Sequence, residues 1–164
     1  MSDQQLPKLI NPIRLAEKHT TLQGTLSLAD MSRLKELLAD TTGEVSVILD
    51  FNRDENHNVF IHLKANTALM LQCQRCMENF SFPLSIDILL HPVKDETKAF
   101  QMKNYETFLM KDELIALQDM IEDEILLNLP LVAKHAQNVC PVVLSTSTEN
   151  PIESPFKELS KLKK

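Results

Sequence analysis

Residues 45–90 read VSVILDFNRDENHNVFIHLKANTALMLQCQRCMENFSFPLSIDILL, and their periodicity decides the fold. Val45, Val47, Leu49 and Phe51 fall on every second position, with mostly polar neighbours between them. Asn52-Arg53-Asp54-Glu55-Asn56 then forms a polar turn. Val59, Ile61, Leu63, Ala65, Leu69 and Leu71 continue on odd-numbered positions, and Phe80, Phe82, Leu84, Ile86, Ile88 and Leu90 on even ones. Successive strand side chains point to opposite faces, so a period of two predicts three half-buried antiparallel strands. Pro83 has no N–H for a ladder, which puts the third strand at a sheet edge or Pro83 itself at a bulge.

On the N-terminal side, residues 1–21 carry mixed charge and two prolines, with Asn11-Pro12 reading as a turn or extended entry. Leu22, Gly24, Leu26 and Leu28 add a further strand pattern. Ser27 is placed to cap a short helix with Asp30 as the acidic partner. Met31, Leu34, Leu37 and Leu38 give its stripe, and Gly43 its stop. On the C-terminal side a polar linker covers residues 94–103, and Tyr105 to Met110 reads as a short strand. Asp112 then caps the best helix, which runs to Asn128 on Leu114, Leu117, Ile121 and Ile125, and Pro130 stops it. The expected class is α+β, an antiparallel β-sheet with helices packed on one face. Residues 1–140 form the single domain, and 141–164 a flexible, partly basic C-terminal tail.

Composition narrows the function. With 164 residues the chain has the length of one domain. Its formal net charge of -6 repels phosphate and disfavours nonspecific coating of RNA. The opening MSDQQLPKL has no apolar run of signal-peptide character, and no stretch approaches the roughly 20 apolar residues of a membrane span. Three cysteines suit a reducing compartment, so the expected location is cytoplasmic. Two glycines are too few for a phosphate-binding glycine loop or a dinucleotide fingerprint, and there is no serine-centred elbow. That absence argues against an enzyme, and no small-molecule substrate is expected.

One spacing carries chemistry. Cys73-Gln74-Arg75-Cys76 sits between two predicted strands, where two thiolates can supply half of a tetrahedral zinc site. His135 and Cys140 offer the other half, giving a Cys3His set that would staple the hairpin tip to the chain beyond the long helix. Against this, the residue after the second cysteine of such a turn favours positive φ, and here it is Met77, not glycine. The metal-free alternative makes Cys73 a small buried hydrophobe and Cys76 a turn residue. Glu122-Asp123-Glu124 has two readings as well. Neighbours on a helix point about 100° apart, so the three carboxylates do not converge on one metal. They are a solvated face or an acidic surface for a basic partner. Lys157, Lys161, Lys163 and Lys164, set among Phe156, Leu159 and Leu162, either contact RNA phosphate or solubilise the tail.

Three stretches together resemble the YceD family. They are Asn11-Pro12-Ile13-Arg14-Leu15-Ala16 with Leu22-Gln23-Gly24, then Leu71-Gln72-Cys73-Gln74-Arg75-Cys76 with Phe80, then Met120-Ile121-Glu122-Asp123-Glu124-Ile125 through Leu129-Pro130 with His135 and Cys140. The ending from Pro155-Phe156 to Leu162-Lys163-Lys164 is also similar. The resemblance implies a factor needed for the accumulation of large-subunit, 23S ribosomal RNA, without catalytic residues. Its partners would be a large-subunit ribosomal protein, precursor 23S rRNA, or both. Some relatives carry a fuller cysteine set near the C-terminal end, as expected for a metal site. Partner contacts would then come from Arg75, the acidic triplet and the terminal lysines. Two other classes stay open: a metal-dependent RNA-processing enzyme using the acidic helix, and a zinc-stabilised interaction module with no RNA role.

Overall fold

The structure is a computed structural model and describes residues 6–102, 106–136 and 139–140. Its elements are β1 (Leu9–Ile10), α1 (Pro12–Glu17), β2 (Thr21–Ser27), β3 (Glu44–Arg53), β4 (Val59–Gln72), β5 (Asn79–Val93), α2 (Glu96–Gln101), β6 (Glu106–Leu109), β7 (Ile115–Ala116) and α3 (Leu117–Leu127). Five strands form one sheet in the order β2-β3-β4-β5-β6, and β1 pairs with β7 apart from it.

The alternation read in the sequence becomes one wet face and one dry face. Val47 lies opposite Ala65, and Ala65 opposite Ile86; Leu49 lies opposite Leu63, and Leu63 opposite Ile88. The odd positions of β3 and β4 and the even positions of β5 therefore share a face. Val45, Val47, Leu49, Phe51, Ile61, Leu63 and Leu69 are fully buried there. Ala16 of α1, Leu28, Met31 and Leu34 of the β2–β3 connection, and Leu117, Ile121 and Ile125 of α3 complete the same cluster. Ser46, Asn66, Ser81, Pro83, Ser85 and Asp87 remain exposed. The fold is α+β, as the residue pattern predicts. Pro83 occupies a stretch of β5 whose outer edge has no strand beside it among the described residues, because β6 joins only at Leu90.

Four local expectations need correction. The segment after Ser27 is not an α-helix: it makes two 3₁₀ turns, Leu28–Asp30 and Leu34–Glu36, and the Ser27 side chain makes no capping bond. Leu28, Met31 and Leu34 are all fully buried, and Met31, whose backbone is extended, separates the two turns. Gly43, with φ of +127°, ends no helix; its carbonyl accepts the Leu28 N–H at 3.1 Å. The long helix begins at Leu117, not after Asp112, because Ile115 and Ala116 are held as strand by Ile10 and Leu9. The polar linker contains α2, capped by the Asp95 carboxylate, which accepts the Lys98 N–H at 2.8 Å. That helix carries the chain across, so β6 runs parallel to β5 in a sheet whose other described pairings are antiparallel. Asn11-Pro12 is likewise a helix start: Asn11 Oδ1 accepts the Arg14 N–H at 3.1 Å and Pro12 takes the first position of α1.

Candidate metal centre

Cys73 follows directly on β4, and the turn to β5 closes on itself. The Met77 N–H donates to the Cys73 carbonyl at 2.8 Å, and the Cys73 N–H to the Glu78 carbonyl at 2.9 Å. Met77 adopts φ of +63°, the left-handed conformation that glycine would take without cost. The turn thus keeps the backbone shape of a metal-binding knuckle although its residue is the wrong one for comfort. Two bonds tether it to the chain after α3. Gln74 N–H donates to the Ala133 carbonyl at 2.8 Å, and Arg75 Nη2 to the His135 carbonyl at 2.8 Å. The Phe80 and His135 rings pack with centroids 4.9 Å apart.

These contacts bring Cys73, Cys76, His135 and Cys140 together with all four ligand atoms within 4.8 Å of one another. It is the one such group of three or more ligating side chains among the described residues. Zinc–sulfur bonds of about 2.3 Å in a tetrahedron put sulfurs roughly 3.8 Å apart, and a sulfur and an imidazole nitrogen roughly 3.6 Å apart. Cys76 Sγ and His135 Nδ1 are 3.4 Å apart. Cys73 and Cys140 are buried, while Cys76 and His135 are half-buried. Donor set, compactness and turn shape all fit a four-coordinate cation, and the arrangement could bind a metal.

The electrostatics lean the same way. Burial pushes the Cys73 thiol up, but the backbone N–H groups of Cys76, His135 and Arg75, with the His135 side chain, outweigh it and bring the thiol down to about 5. A thiolate is the form that ligates metal. Cys76 is raised, first by burial and then by the neighbouring Cys73 and Cys140 sulfurs. Several sulfurs crowded together without a cation resist simultaneous ionisation; a divalent ion would relieve that conflict.

The acidic triplet is divided by the fold. Glu122 is 1% exposed, and its carboxylate accepts the Arg33 and Leu34 N–H groups at 2.7 and 2.9 Å and the Arg33 guanidinium at 3.1 and 3.2 Å. It is spent on fixing the 3₁₀ turn against α3. Asp123 is exposed and pairs with the other side of the same guanidinium. Glu124 is half-buried, and its carboxyl is raised by burial and by Glu106 and Asp123. No single acidic surface is made of all three. Arg33, the residue that organises them, was missed in the sequence because its partner lies 89 positions away. Arg75 is committed to the knuckle through His135. Lys157, Lys161, Lys163 and Lys164 lie outside the described residues.

The arrangement defines a class: a one-sided sheet whose longest hairpin ends in a Cys3His cluster beside the last helix. Residues 61–163 match the profile of the family described as Large ribosomal RNA subunit accumulation protein YceD, and the chain belongs to that family. A Haemophilus influenzae protein named Large ribosomal RNA subunit accumulation protein YceD is similar over 144 residues, 28% identical, covering 87% of this chain and 83% of its own length. No solved structure matches significantly. No helix among the described residues is long and apolar enough to cross a membrane.

Proposed function

We propose that this protein is a non-enzymatic factor in production of the large ribosomal subunit, needed for accumulation of 23S rRNA, and that a zinc ion held by Cys73, Cys76, His135 and Cys140 rigidifies its partner-binding end. In this reading residues 1–140 act as one domain. The observation that carries it is the position of the cluster. It sits at the tip of the β4–β5 hairpin, near side chains that face solvent: Met77 of the same turn at 63%, Leu131 at 99% and Val139 beside Cys140 at 68% exposure. Exposed apolar side chains gathered on one end of a monomer mark a surface for another macromolecule. A cavity of about 450 Å³ between Leu37, Leu71, Leu126, Leu129 and Pro130 lies beside them, with Glu36 at its rim. The acidic chain and this rim suit a basic segment with apolar anchors, the chemistry of a large-subunit ribosomal protein. Precursor RNA contact is secondary in this reading.

Three measurements test it. Deletion of the gene should lower large-subunit RNA relative to small-subunit RNA; an unchanged ratio removes the role. Affinity capture at two salt concentrations should recover a large-subunit ribosomal protein at both, whereas recovery of RNA alone, lost at high salt, would favour direct RNA binding. Protein purified without chelator should contain one zinc per chain, and Cys73→Ser should contain none; absence from both eliminates the metal. The enzymatic alternative predicts divalent-ion-dependent cleavage of precursor RNA that Asp123→Ala abolishes.

A further inference from the structure

At the other end of the β4–β5 hairpin lies a second cavity, of about 210 Å³. The β3–β4 turn, the end of β5 and α2 enclose it, and Arg53, His57, His91, Lys94 and Lys98 line it. None of the lining residues is an Asp or Glu. In a chain of net charge -6, this one small concavity is lined by three cationic side chains and two imidazoles and by no carboxylate. The neighbouring acids stay ionised but lie outside the lining and have partners of their own, and Asp54 also acts electrostatically on His91. Glu17 pairs with Arg53 at 2.9 Å, and the Asp54 carboxylate accepts the Asn56 and Asn58 N–H groups at 2.9 and 2.7 Å. The Asp95 carboxylate is occupied in capping α2.

Two further features fix the walls. His91 is 3% exposed yet contributes to the wall, its ring tilted against Phe60 at a centroid distance of 6.1 Å. His57 is held at φ of +63° by a turn in which its N–H donates to the Asp54 carbonyl at 3.0 Å. Left-handed backbone at a non-glycine residue costs on the order of 1 kcal/mol and persists where the surroundings fix it. The volume falls below the roughly 300–1,000 Å³ of pockets that enclose whole small molecules. A single tetrahedral oxyanion with part of its ester fits that space, and a complete nucleotide does not.

We infer that this cavity binds one phosphate group. Lys94 and Lys98 supply charge at the mouth, the Arg53 guanidinium supplies the N–H groups that Glu17 does not take, and His57 adds an imidazole, with His91 in the wall behind it. The phosphate could be carried by an RNA backbone or be free. Only the RNA source rests on the function proposed above; the site itself does not.

The test follows the imidazole resonances of His57 and His91 by NMR at constant ionic strength, with inorganic phosphate as one probe and a single-stranded RNA 12-mer as the other. Both residues should shift saturably, while His62, on the polar sheet face, stays still. The exposed-lysine variant Lys94→Ala/Lys98→Ala should weaken the response at least tenfold and keep its native amide spectrum. If the RNA binds, the variant should also reduce the slope of log affinity against log salt by about 1. Shifts with both probes, or with RNA alone, uphold the site and assign the backbone as a source. Shifts with inorganic phosphate alone uphold the site and remove RNA from it. Saturable shifts with neither, or shifts that survive unchanged in the variant, overturn the inference, and the ribosomal-protein capture would stand unaffected.

Discussion

Replacing Glu122 with alanine tests the central packing argument. Its carboxylate is the acceptor for two backbone N–H groups, those of Arg33 and Leu34, and for the Arg33 side chain. Leu34 is fully buried, so removing the acceptor strands its N–H away from water. Each buried donor left unsatisfied costs about 1–3 kcal/mol. The Arg33 side chain is 49% exposed, which limits its share to the modest value of a surface pair, about 0–1 kcal/mol. Glu122→Ala should therefore cost about 2–4 kcal/mol in urea unfolding, with m unchanged. Arg33→Ala should cost far less, because the backbone N–H groups keep their acceptor. Glu122→Gln retains one carbonyl oxygen for those groups but turns an amide donor toward the guanidinium, and should fall between the two.

The same carboxylate dictates a pH signature. Burial works to raise it, but the Leu34 and Arg33 N–H groups and the guanidinium win and hold it below its ordinary 4.5. A depressed folded-state pKa means that the folded form releases the proton more readily than the unfolded form. The stabilisation is then complete above pH 4.5 and disappears as pH falls through the lower, folded value. The stability gap between wild type and Glu122→Gln should narrow on acidification through that window. A gap that widens, or an Arg33→Ala variant weaker than Glu122→Ala, would refute the assignment of the clamp to the carboxylate.

Backbone conformation gives further tests. Gly43→Ala places a methyl 3.3 Å from Leu28 Cδ1 at φ of +127° and should lose about 1–3 kcal/mol in thermal or urea unfolding. Met77→Gly, at φ of +63° on a side chain 63% exposed, should stabilise the metal-free protein by up to about 1 kcal/mol, since it relieves strain and sacrifices little packing. If zinc is bound, a strong chelator should lower the melting temperature of wild type and leave Cys73→Ser unmoved.

The sheet was legible because its information is local. Val45 to Leu90 carry a period of two that admits one way of burying the apolar face, and β3, β4 and β5 follow it. Pro83 announced an open edge through the donor it lacks. The pairing of Cys73 and Cys76 with His135 and Cys140 was readable from ligand chemistry alone. What failed was decided at long range or by competition between local signals. Asp112 looked like a cap, but Ile115 and Ala116 are claimed by β1, more than a hundred residues earlier. Met31, Leu34, Leu37 and Leu38 fit a helical stripe about as well as a 3₁₀ one, and Arg33's bond to Glu122 tips the choice. The cationic cavity combines side chains from β3, its turn, β5 and α2, and only the folded chain assembles them.

The margin of β5 that no described strand covers has a consequence for the cell. A long strand with unpaired amides invites an identical strand from another copy, and chains that accept the invitation stack into aggregates. Along this margin Pro83 withholds an amide hydrogen, and Asp87 adds charge among exposed Ser81 and Ser85. A stray neighbour trying to zip along the rim meets a missing tooth at Pro83. The gap discourages strand-to-strand pairing between copies of the chain.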